Sequence, residues 1–418
     1  MQTVQFPYGK KFVNLQLPES AEVFLPNNIP GVADELAAIR MAMQKPFGTP
    51  TLAELAKGKS TVTIVINDIT RPAPTETMLT AIIEELAKTG IEEKNITVIV
   101  ALGNHIPSTD EELKKITGKW WGRLKIINHD CYNEKILTFV GRTKRNMPVY
   151  VNSNYVNASL KILTGIITPH QSAGFSGGRK SVVPGIAGIQ TLKVHHSFPI
   201  RPEFPVMGII KNNPFHEEAV AAARLAGVDF IINVIKNYKN EIVDVVAGDL
   251  EAAHMHGVSI CEKSWIRKFS QHYDVVFVSP GKYPKDIDLH QSQKAFAVAE
   301  QITKPGGSIV LVTECSHGIG KFGSLMKKAS SVDEIIENFR KNGFSADHSS
   351  KAYMFARAIK NHRVIVATKG IEPAELKDMF MEGYKTIDEA AQAALSTFKN
   401  PSILCIPYAG ECIPVVEK

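Results

Sequence analysis

The chain has 418 residues, 44% hydrophobic and 22% charged, with a formal net charge of +6; this is the composition of a globular protein of two or three domains. Basic residues are interspersed with acidic ones, which gives no support to a nucleic-acid partner. No apolar run approaches the roughly 20 residues needed to span a bilayer, and MQTVQFPYGKKFVNLQLP at the N-terminus lacks a signal-peptide core, so no membrane association and a cytoplasmic location are expected. The five cysteines (Cys131, Cys261, Cys315, Cys405, Cys412) are scattered without a CxxC pair, which argues against a disulfide framework or a zinc knuckle.

In chain order, short β-branched runs recur: TVTIVI at 61–66, NITVIVAL at 95–102, KILTGII at 161–167, DVVFVSP at 274–280, SIVLVT at 308–313 and RVIVAT at 363–368. Each has the length of a strand buried on both faces, and most lead through a polar loop into a helix-period segment. That alternation predicts an α/β fold. Thr75 to Lys88 reads as a helix, with Pro74 before it and Gly90 beyond it as a stop. STDEELKKITG opens with a capping box, Ser108 with Glu111. Two strands thus end in loops carrying Asp68, Arg71 and His105, where open α/β sheets bind ligands. The polar, basic stretch 261–274 predicts a break, giving an N-terminal α/β domain over 1–268 and a C-terminal α/β domain over 269–418. The closing SILCIPYAGECIPVVEK can join either one.

The stretch GIITPHQSAGFSGGRKSVVPGIAG, residues 165–188, poses a sharper question. Gly174 followed by Lys180 and Ser181 approaches the GxxxxGK[ST] loop of nucleoside-triphosphate sites. Arg179 stands where the last glycine belongs, and no Walker-B strand ending in aspartate accompanies it. Gly174, Gly177 and Gly178, ahead of a helix, suit a single phosphate better. The bland reading is a tight turn with a surface lysine.

Three histidine positions carry possible chemistry. His105 in GNHIP and His170 in TPHQSAG both follow buried strands, so the two imidazoles can serve opposite faces of a substrate; loop histidines are more commonly structural. His195 and His196 in LKVHHS lie on a helix, where one can ligate nickel, zinc or copper. With no HExxH or compact His/Cys/Asp cluster nearby, most of the ligands of such a metal must come from elsewhere. DITRP offers Asp68 and Arg71 either as an ion pair capping a helix or as a carboxylate clamp. In KDIDLHQSQKAF, Gln291 and Lys294 share a helical face, and Lys294 can meet an anion.

Taken together, DITRP, GNHIP, PHQSAGFSGGRKSVVPG, the following HH and HQSQK resemble the lactate racemase family across nearly the whole chain. The resemblance implies two α/β domains with the active site in the interdomain cleft. It also implies a nickel-pincer nucleotide, a pyridinium-3-thioamide-5-thiocarboxylic acid mononucleotide joined to a lysine, with nickel held by a ring carbon, two sulfurs and one histidine. By that resemblance Lys180 is the attachment lysine, His196 rather than His195 the nickel ligand, and Ser176, Gly177 and Gly178 the residues beside the cofactor phosphate. His105 and His170 become the paired acid/base residues. Arg71 and Lys294 orient the substrate, with Asp68 and Gln291 in support, and His290 shapes the pocket. The implied reaction interconverts the D and L forms of a small 2-hydroxy acid, lactate first, through hydride transfer to and from the cofactor. The implied partners are that acid and the proteins that make the cofactor. Two other readings stand beside it: a histidine-ligated metal hydrolase or zinc-dependent enzyme built on His105, His170 and His196, and a non-catalytic nucleotide-binding module. A conventional dehydrogenase ranks below both, since no GxGxxG links a strand to a helix.

Overall fold

A computed structural model describes residues 1–345 and 348–417. The chain forms two compact units. The first contains Asn28–Pro202 and Ile209–Ser264; the second contains Met1–Asn27, Glu203–Gly208 and the chain from Trp265 on. The expected division at 268/269 lies close to the last of these junctions, whereas the first 27 residues group with the C-terminal part. Both units are α/β, as the alternation of strands and helices implies. Among the described residues no helix is long and apolar enough to cross a membrane.

In the first unit a six-stranded sheet runs in the order Ile242–Gly248, Phe230–Lys236, Leu160–Ile167, Val62–Asn67, Ile96–Ala101, Lys125–Asn128. All neighbours are parallel except Ile242–Gly248, which pairs antiparallel with Phe230–Lys236. The β-branched runs found in the sequence are its central strands. Their register aligns Phe230, Ile162, Ile64 and Val98 in one row across four strands, all fully buried. Each such side chain contributes on the order of 1.5–3 kcal/mol by leaving water. The helix Thr75–Ala87 adds Met78, Leu79, Ile82 and Leu86 to the same core, and Gly90 just beyond it takes the left-handed conformation (φ +84°) that stops a helix. The next helix, Asp110–Thr117, differs from expectation at its start. Its N-cap is Thr109, boxed with Glu112, while the Ser108 amide donates instead to Asn128 Oδ1 at 3.3 Å.

The second unit holds a six-stranded parallel sheet in the order Glu382–Tyr384, Arg363–Ala367, Thr303–Val312, Tyr273–Val278, Ile403–Ile406, Glu22–Val23. Residues from the start of the chain therefore form one edge of a sheet made otherwise from its end. The preceding hairpin, Gln2–Tyr8 with Lys11–Leu17, alternates in burial and sends Phe6, Leu15 and Leu17 into a core with Val275, Phe277, Val310 and Ile365. The closing segment joins this unit too: Ile403–Ile406 pairs with Tyr273–Val278, and Ile413–Val416 with Ile266–Phe269.

Phe6 is fully buried, with its ring 6.4 Å from that of Phe277. Phe6→Ala is expected to cost about 3–5 kcal/mol. Hydrogen exchange should report the loss as lower protection in Tyr273–Val278 and Thr303–Val312, with the first unit unchanged; loss in the first unit instead would contradict the grouping of residues 1–27.

Candidate active site

Three adjacent parallel strands, Leu160–Ile167, Val62–Asn67 and Ile96–Ala101, end on one edge of the first unit's sheet. The loops that follow carry His170, Asp68 and His105 to that edge. Asp68 is nearly buried and accepts from His105 Nδ1 at 2.8 Å through Oδ2, and from the Thr70 hydroxyl at 2.6 Å and amide at 3.0 Å through Oδ1. Burial alone pushes this carboxyl up, but the hydrogen bonds from His105 and Thr70 and the charges of His105 and Arg71 outweigh it, leaving its pKa below the usual value. Asp68 is thus ionised near neutrality, and His105 Nδ1 is the donor. Arg71 does not clamp Asp68 directly; its Nη1 donates to Thr70 Oγ1 at 3.0 Å, so Thr70 links the two. The His105 loop is fixed at Gly103 (φ +56°), whose amide donates to the Gly185 carbonyl at 2.8 Å. The His105 side chain itself is 49% exposed.

The glycine segment folds back on the strand before it. Pro169–His170 pairs antiparallel with Gly174–Phe175, and Gly178–Ser181 then forms a four-residue 3-10 turn rather than the expected helix. A turn this short has no appreciable macrodipole to offer a phosphate. The glycines serve the protein's own packing. At Gly177 (φ +79°) a Cβ would come within 2.8 Å of Ile167 Cγ1 and 2.9 Å of Asn233 Oδ1. The Gly178 amide donates to Asn233 Oδ1 at 2.8 Å, and Ser176 Oγ donates to the Ile166 carbonyl at 2.8 Å.

Arg179, where a Walker loop has glycine, is fully buried and is the centre of this segment. Its Nη2 donates to the carbonyls of Ala173 (2.8 Å) and Phe175 (2.7 Å), and its Nη1 to those of Ser176 and Gly177 (both 3.2 Å) and to His254 Nε2 (2.7 Å). Among the described residues no carboxylate pairs with it, and burial lowers its pKa to about 9. Sequence reasoning treated Arg179 as a missing glycine and overlooked His254 and Asn233. The lone polar residue inside FIINVIK was the signal for Asn233.

Lys180 follows, half-buried. His170 lies within electrostatic reach of Lys180, Arg71, Arg179 and His196; burial first, then those charges, hold its pKa well below the ordinary value. Its Nδ1 accepts from the amides of Ser172 (3.2 Å) and Ala173 (3.1 Å). The helix Ile189–His195 ends at His196. His195 is fully buried, donates from Nε2 to the Phe215 carbonyl at 2.9 Å, and is lowered to about 3 by burial. His196 is only partly buried and donates from Nδ1 to the Leu192 carbonyl at 3.2 Å, which leaves the lone pair on Nε2.

Gln291 and Lys294 belong to the second unit. Both are exposed on the helix Leu289–Ala299, which Asp288 caps by accepting from the Gln291 amide at 2.6 Å. The His290 ring packs 6.1 Å from Phe322 and 5.7 Å from His348.

Comparison with known proteins matches residues 8–204 to the lactate racemase N-terminal domain and 269–413 to the lactate racemase C-terminal domain. The chain is 30% identical, over the full length of both proteins, to a lactate racemase of Thermoanaerobacterium thermosaccharolyticum. The chain belongs to the lactate racemase family. A Lactiplantibacillus plantarum lactate racemase is 31% identical over 94% of this chain and 95% of its own. The lactate racemase apoprotein structure from T. thermosaccharolyticum superposes with a TM-score of 0.91 at 29% identity, covering all of both chains. A Thermotoga maritima protein at 16% identity, with a TM-score of 0.66 over 94% of this chain and all of its own, shares the fold. As a member of the lactate racemase family the chain is an isomerase, of the racemase type.

Two outcomes test this geometry. Arg179→Met takes the guanidinium from the Phe175 carbonyl and from the Ala173, Ser176 and Gly177 carbonyls, of which the last three keep contacts with the Phe175 amide, His254 Nε2 and the Lys180 amide, and is expected to destabilise the first unit by about 1–3 kcal/mol; Arg179→Lys keeps a charge but cannot bridge them and should rescue little, as read by urea denaturation. His195 and His216, both lowered to about 3 with burial the main cause, take up protons in the unfolded chain below pH 6.5 that the folded chain refuses. The unfolded state binds more protons between about pH 3 and 6.5, so stability rises with pH across that window and is lost on acidification. His195 alone contributes up to about 1.4 kcal/mol per pH unit there. The urea midpoint of the first unit should fall from pH 7 to pH 5, and fall less in His195→Gln; a flat profile would contradict the buried neutral state.

Proposed function

We propose that the enzyme interconverts the D and L forms of a small 2-hydroxy acid, lactate first, using a nickel-pincer nucleotide attached to Lys180. The observation that carries this reading is the meeting, on one sheet edge, of a carboxylate-backed histidine, a second histidine ringed by cations, and a half-buried lysine. The relatives named above as lactate racemases support the substrate class.

The residues fit the proposed group. Among the described residues no set of three or more His, Cys, Asp or Glu side chains is placed to hold a metal ion, so a metal at His196 needs a ligand group that brings its own donors. A pincer bringing three donors leaves one place, and His196 suits it: Nδ1–H on the Leu192 carbonyl fixes the ring and directs the lone pair to Nε2. His195 is less suited, being buried with its Nε2 committed to Phe215. Lys180 supplies the amine for attachment. Ser176, Gly177 and Gly178 act by setting the loop's shape, since their polar groups bond within the protein, and the nearby positive charges favour a phosphate. When bound, the group supplies an electrophilic centre that takes a hydride from the substrate Cα and returns it to either face.

The chain's own residues do the rest. Arg71, exposed and steadied by Thr70, binds the substrate carboxylate; Lys294 and Gln291 are proposed as further substrate-binding groups. His105, held by Asp68 with Nε2 as the lone-pair nitrogen, removes the hydroxyl proton. His170 meets the oxygen when it points the other way. Because deprotonating Cα beside an ionised carboxylate would create a dianion, removing that hydrogen as hydride is the easier course.

The test is protein co-produced with cofactor-making enzymes, its adduct confirmed by intact mass, incubated anaerobically with L-lactate and analysed by chiral chromatography. D-lactate is the expected product. Lys180→Ala should lose the adduct and all turnover, while His196→Ala should keep the adduct but lose nickel. An active Lys180→Ala enzyme would refute the attachment site.

A further inference from the structure

His170 is held by peptide groups whose own direction is set by one side chain further along the sequence. The amides of Ser172 and Ala173 donate to its Nδ1 at 3.2 and 3.1 Å. In a planar trans peptide the carbonyl and the following amide point in opposite directions, so whatever holds the Ser172 carbonyl also aims the Ala173 amide. That carbonyl accepts from Asn213 Nδ2 at 3.0 Å.

Asn213 is 2% exposed and fills its hydrogen-bonding capacity. Nδ2 gives its second proton to the Ile209 carbonyl at 3.0 Å. Oδ1 accepts the amides of Phe215 and His216 at 3.1 and 3.4 Å, which caps the helix Pro214–Ala226. All four partners are backbone groups of fixed polarity, so they settle which end of the side-chain amide is oxygen and which is nitrogen. Two of these bonds bear on His170 by other routes. The Ile209 carbonyl lies against Gly174, where a Cβ would collide with it, and Gly174 is the residue paired with His170. Phe215 sets its ring 6.5 Å from that of His170 and 19° from parallel. The imidazole is thus located at Nδ1, beside one face and through its hairpin partner, and each of these restraints returns to Asn213.

We infer that Asn213 is a positioning residue for His170: it fixes the direction in which the ring presents Nε2 to the substrate, an assignment that rests on the racemase reading above. Helix capping alone does not require asparagine, since aspartate and serine cap equally well. Holding the Ser172 and Ile209 carbonyls requires a donor as well. Asn213→Asp keeps the shape and the capping oxygen but cannot donate to either carbonyl. Asn213→Ser keeps a capping oxygen without adding charge, and its shorter side chain cannot reach both carbonyls.

Two measurements on these variants test the inference. In the ¹⁵N-labelled apo chain, the Ser172 and Ala173 amide signals should shift and exchange with solvent about tenfold faster, the loss of roughly one hydrogen bond's worth of protection. The Gly178 amide, bonded to Asn233 Oδ1, is the control and should not change. In the cofactor-loaded enzyme, adduct mass and nickel content should stay as in the wild type. There kcat should fall on the order of 10²-fold, as for a small misplacement of a reacting group, with KM changed by less than about threefold because Arg71 still binds the substrate carboxylate. Unmoved Ser172 and Ala173 signals in both variants would overturn the inference. So would moved signals with kcat retained, while protection lost equally at Gly178 would reduce Asn213 to a merely structural residue and overturn it too. A loaded wild-type enzyme that racemises no 2-hydroxy acid would remove the racemase reading instead, and the apo exchange data would still decide whether Asn213 aims the amides at His170.

Discussion

A guanidinium with no carboxylate partner among the described residues holds the loop that carries Lys180. Burying a charge is costly unless hydrogen bonds repay it, and here five contacts do so: four carbonyls from a single run, residues 173–177, and one imidazole nitrogen. The arrangement makes the loop and the arginine mutually dependent. The guanidinium reaches all four inward carbonyls, while those of Ala173, Ser176 and Gly177 also meet the Phe175 amide, His254 Nε2 and the Lys180 amide. A glycine at 179, as in a triphosphate loop, would remove the peg around which the chain is wound.

That winding explains features on both sides of it. Upstream, the Ser172 carbonyl, in the same peptide unit as the Ala173 amide, is held by Asn213, and the Ser172 and Ala173 amides donate to His170 Nδ1. Downstream, the tight 3-10 turn presents Lys180 next to the strand ends. The glycines belong to the same design, since Gly177 and Gly178 let the turn press against Ile167, Asn233 and His254. One buried cation thus holds the turn that carries Lys180, its neighbour in the chain.

Much of this was legible in the sequence where the signal is local. Runs such as TVTIVI and KILTGII carry their burial in their composition, so the central strands and the α/β class followed from them, and the loops at their ends marked the sheet edge. Other features depend on partners far away in sequence. Glu22–Val23 is a strand only because Leu404–Cys405 lies beside it, and nothing in two residues announces that. STDEEL offers two overlapping capping boxes, and the choice of Thr109 is made by Asn128, which engages the amide of Ser108. Arg179 was visible but misjudged, because a motif comparison measures a residue by what it replaces. What it does depends on where four carbonyls point.

The charge pattern around His170 and His105 follows a single requirement. The proposed substrate is an anion, and so is a nucleotide phosphate, so the sheet edge needs positive charge; Lys180, Arg71 and Arg179 supply it. Imidazolium rings would also attract anions, but a ring already protonated cannot accept another proton. Burial and two amide donors keep His170 neutral among those cations. His105, by contrast, is placed against the carboxylate of Asp68 and is open to solvent. In the proposed reaction the Asp68 carboxylate therefore stands where a positive charge gained by His105 would otherwise be unsupported.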